Sequence, residues 1–199
     1  MDWERVVAHE PVEAVEGDRE AAVLVPVISR PDGAHLLFTK RADHLGEHPG
    51  QMSFPGGGRE PEDETLEATA KREAFEEVGL APDAAEIVGR LDDIPTVSNY
   101  SVRPFVARVP DREYIPYEGE VAEIAVLPVA ELTELDNYES ERREHSFYGD
   151  IRIHYFRVDG YTVWGATGRM LVQFLELATG WRMPSEADRI VDPDAEYPV

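Results

Sequence analysis

A run of glycines leading into a short helix with three glutamates on one side constrains this chain more than any other feature. The segment reads Gly58, five residues, Glu64, seven residues, then Arg72-Glu73-Ala74-Phe75-Glu76-Glu77-Val78-Gly79-Leu80. Strong helix formers fill residues 64–78, Asp63 or Thr65 can cap the start, and Gly79 sits where a C′ glycine ends such a helix. At about 100° of turn per residue, Glu73, Glu76 and Glu77 fall within an arc of roughly 100°. Ala74, Phe75 and Val78 fall on a different face, free to pack against a sheet. Like charges spaced three and four apart destabilise a bare helix by about 0.2–0.5 kcal/mol per pair, so the cluster wants a counter-charge. Oxygen ligands of this kind suit Mg²⁺ or Mn²⁺, which keep several waters and bind substrate phosphates. Arg72 lies next to Glu73 and one turn before Glu76, placed to orient a carboxylate, and the preceding glycines let backbone groups approach the same ion. The alternative for any one glutamate is a solvated acidic face.

The chain supplies many such faces. Nineteen Lys plus Arg against 41 Asp plus Glu give a net charge of −22 over 199 residues, and Lys40 and Lys71 are the lysines. A large negative field with scarce lysine suits a protein that must stay hydrated in concentrated salt, where the Debye length shrinks to about 3 Å. The expectation is therefore a halophilic cytoplasm, with an ordinary acidic or cation-binding protein as the alternative. The same field repels nucleic acid, and no basic stripe is present. With no cysteine there is no disulfide framework, thiol nucleophile or thiolate zinc site. The apolar run at residues 21–28 is too short to span a bilayer. A phosphate-bearing substrate needs a local remedy for the charge, such as a metal ion or a few placed arginines.

The length predicts one domain over residues 1–199, with a polar N-terminal arm at 1–20 and an acidic, loosely held tail at 184–199. Runs at 21–29 and 35–39 flank the turn Pro31-Asp32-Gly33 and read as a hairpin. Further strands are expected at 87–91, 102–109, 121–127 and 151–158, with a short helix at 128–132 and a longer one at 165–177. Interleaved strands and helices favour an α/β (α+β) fold with a mixed sheet and helices on its faces.

At every fixed position the glycine–glutamate segment matches the pattern Gly-x5-Glu-x7-Arg-Glu-U-x-Glu-Glu-x-Gly-U, and it resembles the box of the Nudix hydrolases. Upstream, Leu36-Leu37-Phe38-Thr39-Lys40-Arg41-Ala42 and Gly50-Gln51-Met52-Ser53-Phe54-Pro55-Gly56-Gly57 resemble the second signature of the coenzyme A pyrophosphatases in that superfamily. Ile94-Pro95-Thr96-Val97-Ser98 and Val163-Trp164-Gly165-Ala166-Thr167 look like the same subfamily. One position departs: where the subfamily usually has an arginine, this chain has Gly46. Lys40, Arg41 and His48 remain nearby as candidate contacts to a substrate phosphate, or as surface charges, and Phe54 joins them as a candidate binding residue.

The resemblance implies an α/β/α sandwich with a catalytic loop–helix–loop. It implies that Glu73 and Glu77 coordinate Mg²⁺ or Mn²⁺, with Glu76 as a further or water-mediated ligand and the Gly57 carbonyl as one more oxygen. Glu64 and Arg72 are expected to brace the loop. A glutamate of the box or of a later loop, with Glu120 and Glu123 as candidates, is expected to act as general base. The implied substrate is a small nucleoside diphosphate derivative. Three readings stay open: hydrolysis of coenzyme A, hydrolysis of another such derivative including an ADP-sugar or dinucleotide, or a module that binds a nucleotide without cleaving it. No nucleic acid or membrane partner is expected, and a homodimer is compatible with the sequence.

Overall fold

The computed structural model describes residues 1–14, 19–42, 44, 50–96, 99–145 and 149–198. Helix α1 (Trp3–Ala8) precedes the hairpin of β1 (Arg19–Arg30) and β2 (Gly33–Arg41), paired antiparallel from Arg30↔Gly33 to Val27↔Leu36. Beyond that register the two strands diverge. The short strands β3 (Met52–Ser53), on β2, and β4 (Gly56–Gly58), on β1, fill the wedge between them. Helix α2 (Leu66–Val78) follows, then β5 (Glu86–Arg90), β6 (Ile94–Pro95), β7 (Tyr100–Val109), β8 (Val121–Pro128) and the single turn α3 (Val129–Leu132). The chain continues through β9 (Tyr138–His145), β10 (Gly149–Val158), β11 (Tyr161–Val163), α4 (Gly165–Ala178) and β12 (Arg189–Ile190).

Eight strands make one mixed sheet in the order β3-β2-β1-β7-β5, with β4 beside β1, β6 beside β7 and β8 beside β2. Its long parallel ladder joins β1 to β7 from Arg19↔Tyr100 to Ile28↔Val109. Strand β1 is covered on both faces, which is why its sequence is a continuous apolar run rather than an alternation. Ala22, Leu24 and Ile28 pack under α2, and Val25 and Val27 pack on the opposite side. Leu66, Ala70, Ala74 and Val78, four residues apart, form the buried stripe of α2. The small alanines bring the helix axis close to the sheet. On the other face lie α4, with Met170, Leu171, Phe174 and Leu175 buried, and the second sheet, ordered β11-β10-β9-β12. The result is the helix–sheet–helix layering expected from the sequence, with a four-stranded sheet added.

Several details depart from expectation. Phe75 is 54% exposed, because α2 turns its alanine and valine stripe to the sheet and leaves the ring outside. Strand β9 carries no apolar strand signal: its buried side chains include Ser140, Glu141 and Arg143, whose charges and hydroxyl are satisfied by one another and by neighbours. The N-terminal arm carries α1 and docks on the domain, with Val6 buried, the Asp2 amide donating to the Ala178 carbonyl at 2.7 Å and His9 2.8 Å from Asp92. The C-terminal tail is also held. Strand β12 pairs parallel with β9, Arg143 donates to the Ala195 carbonyl at 2.8 Å, and the Tyr197 ring lies 4.9 Å from that of Trp164. Among the described residues no helix is long and apolar enough to cross a membrane.

Candidate functional site

The site is organised by Arg72, whose guanidinium ties the glycine strand, the following loop and α2 together. Its Nε and Nη2 donate to the two oxygens of Asp63, each at 3.0 Å, and Nη2 also donates to the Gly58 carbonyl at 3.1 Å. Asp63 is buried and accepts from the Glu60 amide at 2.9 Å and the Thr69 hydroxyl at 3.0 Å. The Arg72 hydrogen bonds, with those from Glu60 and Thr69, outweigh burial and hold the Asp63 carboxyl down at about 2. The sequence pattern assigned this bracing to Glu64, but Glu64 is exposed and contributes its carbonyl, which accepts from Arg59 at 3.3 Å. Asp63 is the residue that sequence reasoning missed, taking it only as a helix cap. The cap is Thr65, whose hydroxyl accepts from the Ala68 amide at 3.1 Å, and Gly79 closes the helix at φ 67° as expected.

The three box glutamates divide. Glu76 is exposed and accepts from Arg72 Nη1 at 2.9 Å. Glu73 is largely covered, 3.1 Å from the same nitrogen, and lies on Gly57: a Cβ there would sit 2.5 Å from Glu73 Oε1. Glu77 is 7% exposed and accepts from the Gly56 amide at 3.2 Å. At Gly56 a Cβ would collide with the Ala22 carbonyl and Val23 of β1. The glycines are therefore required where the glutamates and β1 approach the strand. Burial pushes the Glu73 carboxyl up, against the pull of Arg72. Burial pushes Glu77 up to about 8, the Gly56 amide opposing it, and Glu73 and Glu120 push it the same way as burial.

Glu120 and Arg41 thus both lie within electrostatic reach of Glu77, and Glu120 also acts on Glu73. The Glu120 carbonyl accepts from the Ala42 amide at 2.9 Å, which fastens its loop to the end of β2. Lys40 pairs across the ladder with Glu123, and the register with β8 shifts between Lys40 and Arg41, which pairs with Val121. Glu123 accepts from the Tyr161 hydroxyl at 2.5 Å, away from the box. Phe54 is 2% exposed and stacked on Phe38 at 4.7 Å, so it is a core residue with no surface to offer a ligand. His48 and Gly46 lie outside the described residues, as do Val97 and Ser98.

The donor set fits a hard divalent ion. Two inward carboxylates and a strand of glycine backbone supply oxygen without nitrogen or sulfur. Among the described residues no three Asp, Glu or His side chains converge into a ready cage. Sparse protein ligation is the mode of Mg²⁺-like ions, which retain water and take further oxygens from phosphate.

The NUDIX domain family model matches residues 18–147. A protein named uncharacterized Nudix hydrolase NudL, from Enterobacter sp. (strain 638), is 40% identical over 157 residues, covering 77% of this chain and 79% of that protein. Its namesake in Yersinia pestis (strain Pestoides F) is 38% identical over 157 residues, covering 77% of each. Among solved structures, a Nudix hydrolase from Alicyclobacillus acidocaldarius is similar at a TM-score of 0.49 and 20% identity, over 60% of this chain and 83% of that one. The family match over residues 18–147 and the 40% identity together establish that this chain belongs to the Nudix hydrolase family of pyrophosphatase-type enzymes.

Proposed function

We propose that this chain hydrolyses the diphosphate bond of coenzyme A or its derivatives, giving 3′,5′-ADP and 4′-phosphopantetheine or its acyl form, with Mg²⁺ or Mn²⁺ bound. Nudix hydrolases generally use divalent metal ions. The observation that carries the metal assignment is the inward pair Glu73 and Glu77, covered by protein and pressed against the glycine strand, with burial pushing both carboxyls up. Glu73 and Glu77 are the proposed ligands, with the Gly57 carbonyl and, through water, Glu76. When bound, such an ion neutralises phosphoryl charge and acidifies the attacking water.

The chain's own groups do the rest. Arg72 and Asp63 fix the loop so that Glu73 and Glu77 keep one geometry. Glu120, beside them, is the proposed general base, taking a proton from water as its oxygen adds to phosphorus and the bridging P–O bond breaks. Arg41, which acts electrostatically on Glu77, is the proposed phosphate contact. The coenzyme A assignment rests on the upstream signature around Gly50-Gln51 and Phe54-Pro55. Glycine at position 46 favours a second reading, in which the substrate is another nucleoside diphosphate derivative. The charge of −22 is read as a hydration device for concentrated salt.

A panel of coenzyme A, an acyl derivative, ADP-ribose and a dinucleotide, assayed in high salt with Mg²⁺ or Mn²⁺, tests this. The expected product from coenzyme A is 3′,5′-ADP. Cleavage of ADP-ribose with none of the coenzyme A compounds overturns the substrate assignment.

A further inference from the structure

The loop that joins β7 to β8 is fastened to the end of α2. Arg112 Nη2 donates to the Gly79 carbonyl at 2.5 Å and the Tyr117 amide donates to the Glu77 carbonyl at 2.9 Å, while within the loop the buried Tyr114 hydroxyl donates to the Pro110 carbonyl at 2.6 Å. Despite this anchoring, Tyr117 leaves its side chain outside, at 59% exposure. The ring occupies space that a side chain at Gly119 would fill. A Cβ at that glycine would sit 2.7 Å from Tyr117 Cε1, 3.0 Å from Cζ and 3.3 Å from the hydroxyl oxygen. The ring therefore lies over Gly119, next in the chain to Glu120.

An aromatic ring held beside the last turn of α2 by a backbone anchor gains little from packing, because more than half of it is in water. It offers a π-face, and that face attracts a base without requiring positive charge. The requirement is specific to this chain. At a net charge of −22 the protein repels a diphosphate compound, and any phosphate contact weakens further as salt screens it. Stacking on a nucleobase is tolerant of salt and of sequence.

We infer that Tyr117 is a specificity-determining platform on which the nucleobase of the substrate stacks, with Gly119 setting the ring's position. This rests on the nucleoside diphosphate substrate proposed above. The test is equilibrium binding by calorimetry of two probes, ADP and methylenediphosphonate, the second carrying a diphosphate analogue and no base. Y117A and Y117L are expected to weaken ADP binding roughly 5- to 150-fold, the range of aromatic stacking on a base. Y117F is expected to retain it, and methylenediphosphonate is expected to bind all four proteins alike. G119A, which displaces the ring without removing it, is expected to fall between. In turnover, the loss belongs to KM, with kcat little changed. Unchanged ADP binding in Y117A, or an equal loss for both probes, overturns the inference while leaving the hydrolase reading intact. Failure of the wild type to hydrolyse any nucleoside diphosphate derivative overturns that reading, and ADP binding still decides the role of Tyr117.

Discussion

Glu77 and Glu141 are both buried, at 7% and 1% exposure, yet the protein treats them in opposite ways. Burial raises both carboxyls. At Glu141 it is outweighed by hydrogen bonds from the Tyr155 hydroxyl at 2.9 Å, from Arg143, and from Arg189 at 3.0 and 3.1 Å, so the carboxyl is held below its ordinary value. At Glu77 burial is opposed by one backbone amide and the weaker pull of Arg41, two further carboxylates act with it, and the carboxyl rises to about 8. The first site brings its own counter-charge and locks β9, β10 and β12 together. The second is short of positive charge, which is costly unless something from outside completes it. The same residue type at similar depth is structural in one place and the proposed metal ligand in the other, and the difference lies in which partners fold beside it.

Substitutions can break this contrast, and the largest effect belongs to the structural cluster. E141Q leaves Arg143, itself 3% exposed, without its anion, and is expected to lower stability by about 3–5 kcal/mol in chemical denaturation. Its hydrolytic activity below the unfolding transition should stay near that of the wild type. E77Q should do the reverse: a loss of more than about 100-fold in kcat/KM, above the range for partners outside the ligand shell, with no loss of melting temperature.

Between these lies Asp63, which stabilises by pairing but does so beside the site. D63N is expected to cost about 2–3 kcal/mol at neutral pH, matching a carboxyl moved from 3.8 to about 2. Because the folded-state value is depressed, that stability is present above about pH 4 and disappears as pH falls toward 2. The difference between wild type and D63N in urea titrations should therefore shrink over that window. The smallest effect is expected at Gly57, where G57A pushes the Glu73 carboxylate aside and should lower kcat/KM by about 10- to 100-fold with secondary structure intact. A G57A protein as active as the wild type would show that Glu73 need not sit on the glycine strand.

What was legible in the sequence was what local rules decide. The Thr65 cap, the Gly79 stop and the 3.6-residue period placed α2, and the hairpin turn at Gly33 placed β1 and β2. Helical spacing also grouped Glu73, Glu76 and Glu77. It could not divide them, because their arc straddles the border between protein and solvent, and that border is drawn by β4, a strand of three glycines with no strand signal of its own. The two phenylalanines show the same limit. Phe75, expected to pack, is exposed, and Phe54, expected to bind substrate, is sealed in the core against Phe38. Apolarity states that a ring prefers burial but not which ring finds a partner. Asp63 escaped notice because its partner Arg72 is nine positions away, outside helical periodicity, and β9 because its buried side chains are charged.

The central claim is that the Glu73 and Glu77 pair is completed by a divalent cation. Its most direct test is a Mn²⁺ titration of wild type, E77Q and E141Q, followed by the paramagnetic resonance of free Mn²⁺. Wild type and E141Q are expected to bind with the same affinity, and E77Q at least about tenfold more weakly. Wild-type affinity in E77Q would contradict the account.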